Sequence, residues 1–308
     1  MKILMTGGLG NIGKHLIDRL SVKNDLVTLS SNSSIKKLPN NSFRIPSLVI
    51  QECNVEQSKI KKIIKKYKPD IVIHLAALSG LQRCEKNPDK AFQINVLGTF
   101  NVCKSCAESK SHLIFLSSRE IYGETKNSKT SEKTSSNPNN VYGLTKSVAE
   151  NIIQTMAKIY DFNYTILRIT NVYGSNMGRS GINNIFWSAI HKKQIKINGG
   201  KQLVNLIHID DLIDAIILVI NNNKSNNKIY NVGSNDTLQI NELVNLVVST
   251  LPNNVKINYS SRIECENLVF RPDLTKIQAD LNYFPKTDLK NGIKKTLHWY
   301  KNNAFKIN

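Results

Sequence analysis

Residues 6–13 read Thr-Gly-Gly-Leu-Gly-Asn-Ile-Gly, directly after the apolar run Lys2 to Met5. Few features restrict a chain's fold as strongly. A strand that runs straight into closely spaced glycines and then into a helical pattern is the opening of a βαβ unit. Glycines let the backbone turn sharply and come close to a ligand, and the helix that follows turns its positive end toward an anion. An ordinary glycine turn has no need of a strand before it and a helix after it. Here both flanks are present, so Gly7, Gly10, Asn11, Ile12 and Gly13 are expected to cradle the pyrophosphate of a dinucleotide.

The rest of the first half keeps the same beat. Lys2–Met5, Asp25–Leu29, Ser47–Cys53, Ile71–Leu75, His112–Leu116 and Asn163–Ile169 read as strands. Helical patterns lie between them at Ile12–Leu20, Ser58–Lys66, Pro88–Ser109 and Tyr142–Tyr160. Long crossovers between short strands call for an α/β fold, a Rossmann-type doubly wound parallel sheet. The run Ile71-Val72-Ile73 shows no polar alternation, as a strand buried on both faces requires. Beyond Thr170 the regularity fades: a loop at Gly174–Gly181, a helix at Ile182–Lys192, a strand-then-helix at Leu206–Ile220, a late strand at Lys228–Val232. Short helices and strands follow, including Asn241–Thr250 and Leu289–Tyr300. We expect a dinucleotide-binding domain over 1–170, with return segments at about 204–232. A smaller, mixed α/β C-terminal substrate lobe would comprise 171–203 and 233–308. There is no internal repeat.

Composition excludes several classes. At 308 residues the chain can bury a large core, and no stretch approaches the ~20 apolar residues of a membrane span. The N-terminus has no signal-peptide pattern, so a cytoplasmic location is expected. Five scattered cysteines, Cys53, Cys84, Cys103, Cys106 and Cys265, form no disulfide framework. Cys103 and Cys106 are a C-x-x-C pair with no second pair at metal spacing, so buried helix-face thiols are expected and no metal site. The net charge of +19, from 42 Lys+Arg against 23 Asp+Glu, is unusual. The basic residues are spread along the chain and do not gather with aromatics into one stripe, which argues against nucleic acid as the main partner.

The second chemical motif is Tyr142-Gly-Leu-Thr-Lys146. Four residues is about one helical turn, so both side chains share a face. A neighbouring ammonium and a cationic nicotinamide ring would favour the phenolate, which lets Tyr142 exchange a proton with a substrate hydroxyl. Cofactor choice stays open between NAD and NADP. The end of the second strand, where a carboxylate usually binds the ribose 2′-hydroxyl of NAD, holds Ser30; Lys36 and Lys37 nearby would suit a 2′-phosphate.

With these motifs in place the chain resembles the extended short-chain dehydrogenases/reductases of the NAD-dependent epimerase/dehydratase type, from Met1 to about Tyr300. His74-Leu75-Ala76-Ala77, Asn95-Val96-Leu97-Gly98-Thr99, Ser117-Ser118-Arg119-Glu120-Ile121-Tyr122-Gly123, Arg168-Ile169-Thr170-Asn171-Val172-Tyr173-Gly174 and His208-Ile209-Asp210-Asp211 match its ordered segments. The resemblance implies that Leu75, Ala76, Ala77 and Asn95 lie beside the cofactor. It implies that Ser118 holds the substrate oxygen beside Tyr142 and Lys146, and that Asn171 and Arg271 contact the diphosphate of a nucleotide sugar. Asn54, followed by Val55, stands where the family usually has an aspartate near the adenine. It also implies a homodimer through the helices at Pro88–Ser109 and Tyr142–Tyr160.

Two departures bear on the reaction. Val204 occupies the place of a common phosphate-binding arginine. The pair after Ser118 is Arg119-Glu120, where 4,6-dehydratases of the family often have Asp-Glu as acid and base. A nucleotide-sugar epimerase acting at C4 through a 4-keto intermediate is therefore the expected activity. An NADPH-dependent 4-keto reductase and a dehydratase using Glu120 are the alternatives within the same site. An NAD(P)-binding sensor or RNA-binding protein is the non-enzymatic one, supported only by the charge.

Overall fold

The computed structural model describes residues 1–36, 45–125, 129–179, 181–252, 254–264 and 266–303. Lys37 and Cys265 lie outside the described residues. The strands in chain order are β1 (Lys2–Thr6), β2 (Asp25–Ser30), β3 (Leu48–Glu52), β4 (Ile71–His74), β5 (His112–Ser118), β6 (Tyr164–Ile169), β7 (Asn171–Tyr173), β8 (Gln194–Asn198), β9 (Leu203–His208), β10 (Lys228–Val232), β11 (Thr237–Gln239) and β12 (Lys256–Ser260). The helices are α1 (Asn11–Leu20), α2 (Asn32–Ile35), α3 (Lys59–Tyr67), α4 (Leu81–Lys86), α5 (Pro88–Phe92), α6 (Gly98–Ser109), α7 (Val141–Tyr160), α8 (Asn183–His191), α9 (Ile209–Ile220), α10 (Ile240–Ser249), α11 (Thr275–Leu281) and α12 (Leu289–Asn302).

Seven parallel strands form the central sheet in the order β3-β2-β1-β4-β5-β6-β10, which confirms the doubly wound α/β class. Successive residues of a strand face opposite sides of a sheet, and here both sides are apolar. Ile3, Met5, Ile71, Ile73, Ile114 and Leu116 pack on one side with α1 and α9. Leu4, Val72, Leu113, Phe115 and Ile166 pack on the other with α3, α6 and α7. Strand order reverses between β1 and β4, which leave the centre of the sheet in opposite directions. That opens a crevice at their carboxyl ends.

A third apolar cluster joins Tyr173, Phe186, Ile195, Ile197, Val204, Leu206, Leu243 and Leu297 from β7, α8, β8, β9, α10 and α12. Two small sheets accompany it, β11-β9-β7 and β12-β8. Val204, the position without the arginine, is buried in this cluster. The helix expected over Pro88–Ser109 is interrupted by a π-helical turn at Gln93–Leu97. The cysteines of the C-x-x-C pair are both buried on α6, where burial pushes their thiols up. No described helix is long and apolar enough to cross a membrane.

Candidate active site

Six of the segments singled out in the sequence lie at the carboxyl edge of the sheet. Gly7 follows β1, Ser30 ends β2, Asn54 and Val55 follow β3, Leu75–Ala77 follow β4, Ser118 ends β5 and Asn171 opens β7 after β6. The glycine turn is tight. Gly7 has φ +69°, and a Cβ there would lie 2.8 Å from the Ala76 backbone nitrogen. At Gly13 a Cβ would come within 2.3 Å of the Gly8 carbonyl oxygen. Gly10 caps α1 without a side-chain hydrogen bond, so no side chain blocks the helix N-terminus. This bare, closely approached turn, built from Gly7 to Gly13, leaves backbone N–H groups at the helix start open to an anion such as a pyrophosphate.

The turn is braced from beneath. The Thr6 hydroxyl lies 2.6 Å from His74 Nδ1 and accepts the Ala76 N–H at 3.2 Å, while His74 Nε2 lies 3.1 Å from the Thr99 hydroxyl. Burial holds His74 down at about 3, so the ring stays neutral. Asn95 is also a brace. Its amide accepts from Leu78 N at 2.8 Å and donates to the Leu78 carbonyl and the Thr145 hydroxyl at 3.0 and 2.9 Å. The π-helical turn rotates this asparagine toward the loop after β4. Ser30 is buried, and its hydroxyl accepts the Leu9 N–H at 3.2 Å, so it supports the glycine turn. More accessible hydroxyls lie farther on, where half-buried Ser31 Oγ is 3.0 Å from exposed Ser33 Oγ and 3.1 Å from half-buried Ser34 Oγ.

The 20-residue helix α7 carries Tyr142 and Lys146 one turn apart. Asn140 starts it, accepting the Gly143 N–H on its side-chain oxygen at 2.7 Å. Tyr142 hydrogen-bonds the Ser118 hydroxyl. Lys146 is buried, donates to the Leu116 carbonyl at 2.7 Å and lies 4.5 Å from the centre of the Phe115 ring. Burial lowers its amine to about 8, against the opposing pull of Glu150 one turn further on. The phenol differs from expectation. Burial, then the negative Glu120, raise Tyr142, and the Ser118 hydrogen bond only partly offsets them. Ser118, Tyr142 and Lys146 thus stand together, with the proton on the phenol.

Two groups escaped the sequence reading. Glu150 receives Arg168 at 2.8 Å and the Ser117 hydroxyl at 2.5 Å, and Arg168 also donates to Tyr122 Oη at 2.9 Å. The only sequence signal was a glutamate four residues after Lys146 on one helix. The second group surrounds Glu120. Its Oε1 meets Arg119 Nη2 at 2.9 Å, and its Oε2 accepts from Asn140 at 3.1 Å and Asn267 at 2.9 Å. Asn267 is 147 residues away in the chain, so no local pattern could reveal it. Several atoms around this edge are buried without a protein partner: Arg119 Nε and Nη1, Asn267 Oδ1, Asn171 Nδ2 and Thr170 Oγ1. Each costs roughly 1–3 kcal/mol if left so. Arg271, also near this edge, follows Phe270, and its carbonyl accepts the Thr130 N–H at 2.7 Å. Among the described residues no cluster of three or more His, Cys, Asp or Glu could hold a metal.

Residues 3–233 match the model of the NAD-dependent epimerase/dehydratase family. The chain belongs to that family. It is 30% identical over 309 residues to the "Putative UDP-glucose 4-epimerase" of Methanocaldococcus jannaschii, covering 98% of this chain and 99% of that protein. It is 28% identical to the dTDP-D-glucose 4,6-dehydratase of Bos taurus, covering 98% and 89%. The solved UDP-glucose 4-epimerase of Thermotoga maritima superposes with a TM-score of 0.89 at 24% identity, covering 99% of this chain and all of that one, a likeness of fold. The chain is therefore an enzyme of the nucleotide-sugar epimerase/dehydratase family.

Proposed function

We propose that this enzyme epimerises a nucleotide sugar at C4, oxidising the hydroxyl to a 4-keto intermediate and reducing it from the other side. The contact of Ser118 with Tyr142, one turn from Lys146, carries the reading. A bound nicotinamide dinucleotide supplies the acceptor and donor of hydride. Ser118 and Tyr142 orient the C4 hydroxyl between them; Tyr142, having first released its own proton to solvent, takes the hydroxyl proton as the carbonyl forms and returns it afterwards. Lys146 favours the phenolate at that moment, because its ammonium sits in a buried, weakly screened site. Asn171 and Arg271 are assigned to the diphosphate, a role that suits a guanidinium fork.

The state of Glu120 favours epimerisation over elimination. Both of its oxygens are held by donors of the chain's own, so it is poorly disposed to remove a proton from carbon. The second reading is a 4-keto reductase using NADPH. It is favoured by the hydroxyls of Ser31, Ser33 and Ser34 at the end of β2, where no carboxylate stands. We also infer that two copies pair through α5, α6 and α7. These helices, with the π-helical turn between the first two, expose Phe92, Leu97, Phe100, Leu144, Ile159 and Tyr160, an apolar surface a lone copy would leave in water.

The test is to purify the protein without added cofactor, identify any released dinucleotide by mass spectrometry, and assay UDP-glucose and dTDP-glucose with nothing added. Tightly held NAD and conversion to the C4 epimer are expected, with Tyr142→Phe slower by about 10²–10⁴-fold. Protein that emerges empty and works only with NADPH on a 4-keto sugar would make it a reductase.

A further inference from the structure

We propose that Arg119 and Asn267 form a specificity subsite beside Ser118 that admits a sugar with a neutral exocyclic hydroxymethyl group and rejects one with a carboxylate there. The inference rests on the nucleotide-sugar reading and names the sugars that reading leaves open.

Arg119 follows Ser118 directly and is only 4% exposed. One of its nitrogens, Nη2, holds Glu120; Nε and Nη1 have no protein partner. Its guanidinium lies over the Phe270 ring, 5.6 Å from the centroid, so its N–H groups point out along the plane. A guanidinium that served only to pair with Glu120 would not be buried with two donors open, because buried polar groups are nearly always satisfied.

Asn267 adds the complementary feature. Asn267 donates its amide nitrogen to Glu120 Oε2 at 2.9 Å, an oxygen that also accepts from Asn140. That fixes the orientation and turns Oδ1 away from Glu120, buried and without a partner. The two residues therefore offer unpaired donors and an unpaired acceptor within one hydrogen-bonded cluster. A group that satisfies both must carry a lone pair and a hydrogen, as a hydroxyl does. A carboxylate carries lone pairs alone and would set an oxygen against Asn267 Oδ1.

Charge argues the same way. Arg119 already has its counter-ion in Glu120. Glu266 is close enough that both act on its carboxyl, in opposite senses. A substrate carboxylate would be the third acid around one guanidinium, buried where repulsion is little screened. The exocyclic carbon is the position at which hexose nucleotides differ in charge, a hydroxymethyl in glucose and a carboxylate in glucuronic acid.

Calorimetric titration of the purified holoenzyme with UDP-glucose, dTDP-glucose and UDP-glucuronic acid tests this, alongside initial rates for each. The neutral UDP sugar is expected to bind at least about tenfold tighter than the acidic one, the scale of hydrogen bonds to a charged group. Arg119→Leu is expected to bring the two within about threefold of each other by weakening UDP-glucose. Arg119→Lys, which keeps the charge opposite Glu120 but loses the fork, should give the same narrowing if the leucine variant does not fold. Equal or tighter binding of UDP-glucuronic acid by the unaltered enzyme would overturn the subsite while leaving the nucleotide-sugar reading intact. So would an unchanged ratio in folded variants. Failure of all three nucleotide sugars to bind would remove that reading and the subsite with it.

Discussion

Lys146 is an ammonium placed where an ammonium is costly. It is buried against Phe115, and one carbonyl, that of Leu116, is its hydrogen-bond acceptor. Burial brings its amine down to about 8, and Glu150 resists the change. The sign of the consequence is fixed: the side chain is charged below about pH 8 and neutral above it. Under the proposed mechanism Tyr142 needs that charge, so kcat/KM should fall as pH rises through about 8. Glu150→Gln removes the opposing charge and should move this falling limb to lower pH. A pH profile of kcat/KM for both proteins checks it; a limb that stays in place would show that Lys146 is not the group titrating. Tyr142 could be paired with Lys146 from spacing alone. The lowering of the amine and the raising of the phenol could not, because both follow from burial, which depends on what the rest of the chain covers.

The glycine turn and α1 act as one element. Their fit depends on two backbone stretches with no room for a side chain between them, Gly8 and Gly13. A methyl at Gly13 would stand 2.3–2.5 Å from three backbone atoms of Gly8 and must push the helix off the turn. At Gly10 the nearest atom would be the Gly7 carbonyl oxygen at 3.0 Å, which small adjustments relieve. Gly13→Ala is therefore expected to weaken dinucleotide binding by about 10–100-fold, following the usual 1–3 kcal/mol of overpacking. Gly10→Ala should lose much less. Fluorescence titration with NAD separates the two, and equal losses would mean that the Gly8–Gly13 contact does not shape the site. Other elements were harder to foresee. Helix α4 is a single six-residue stretch that no side chain caps. Strand β8 alternates Ile195 and Ile197 with exposed Lys196, yet its partner β12 begins more than 50 residues later.

At the scale of the molecule, α5 to α7 turn an apolar surface outward while their other faces pack on the sheet. Singly exposed apolar residues are common, but five on three neighbouring helices, with Leu97 on the turn between two of them, form a patch. With Phe100 at 41% and Ile159 at 65% exposure, burial against a second copy would remove the patch from water. Phe100→Glu should convert the expected homodimer to a monomer in sedimentation velocity at micromolar concentration. A wild-type monomer under the same conditions would refute the pairing. Helix α7 carries Tyr142 and Lys146, and the turn between α5 and α6 carries Asn95, so dimerisation would stiffen the elements that hold the site.

The sequence by itself determined the α/β class, the position of the glycine turn and the one-turn pairing of Tyr142 with Lys146. These are local: a strand feeding glycines, unbroken apolar strands and a helical period are written in consecutive residues. It also indicated that Lys228–Val232 is a strand, although its place beside β6 belongs to the fold. Only the tertiary structure decided that Asn95 and Ser30 brace the cradle, that Glu150 sits clamped by Arg168, and that Arg119 meets Asn267 around Glu120. Those relations join residues far apart in the chain, and whether a polar atom ends up partnered or left open is settled only once packing has sealed it from water.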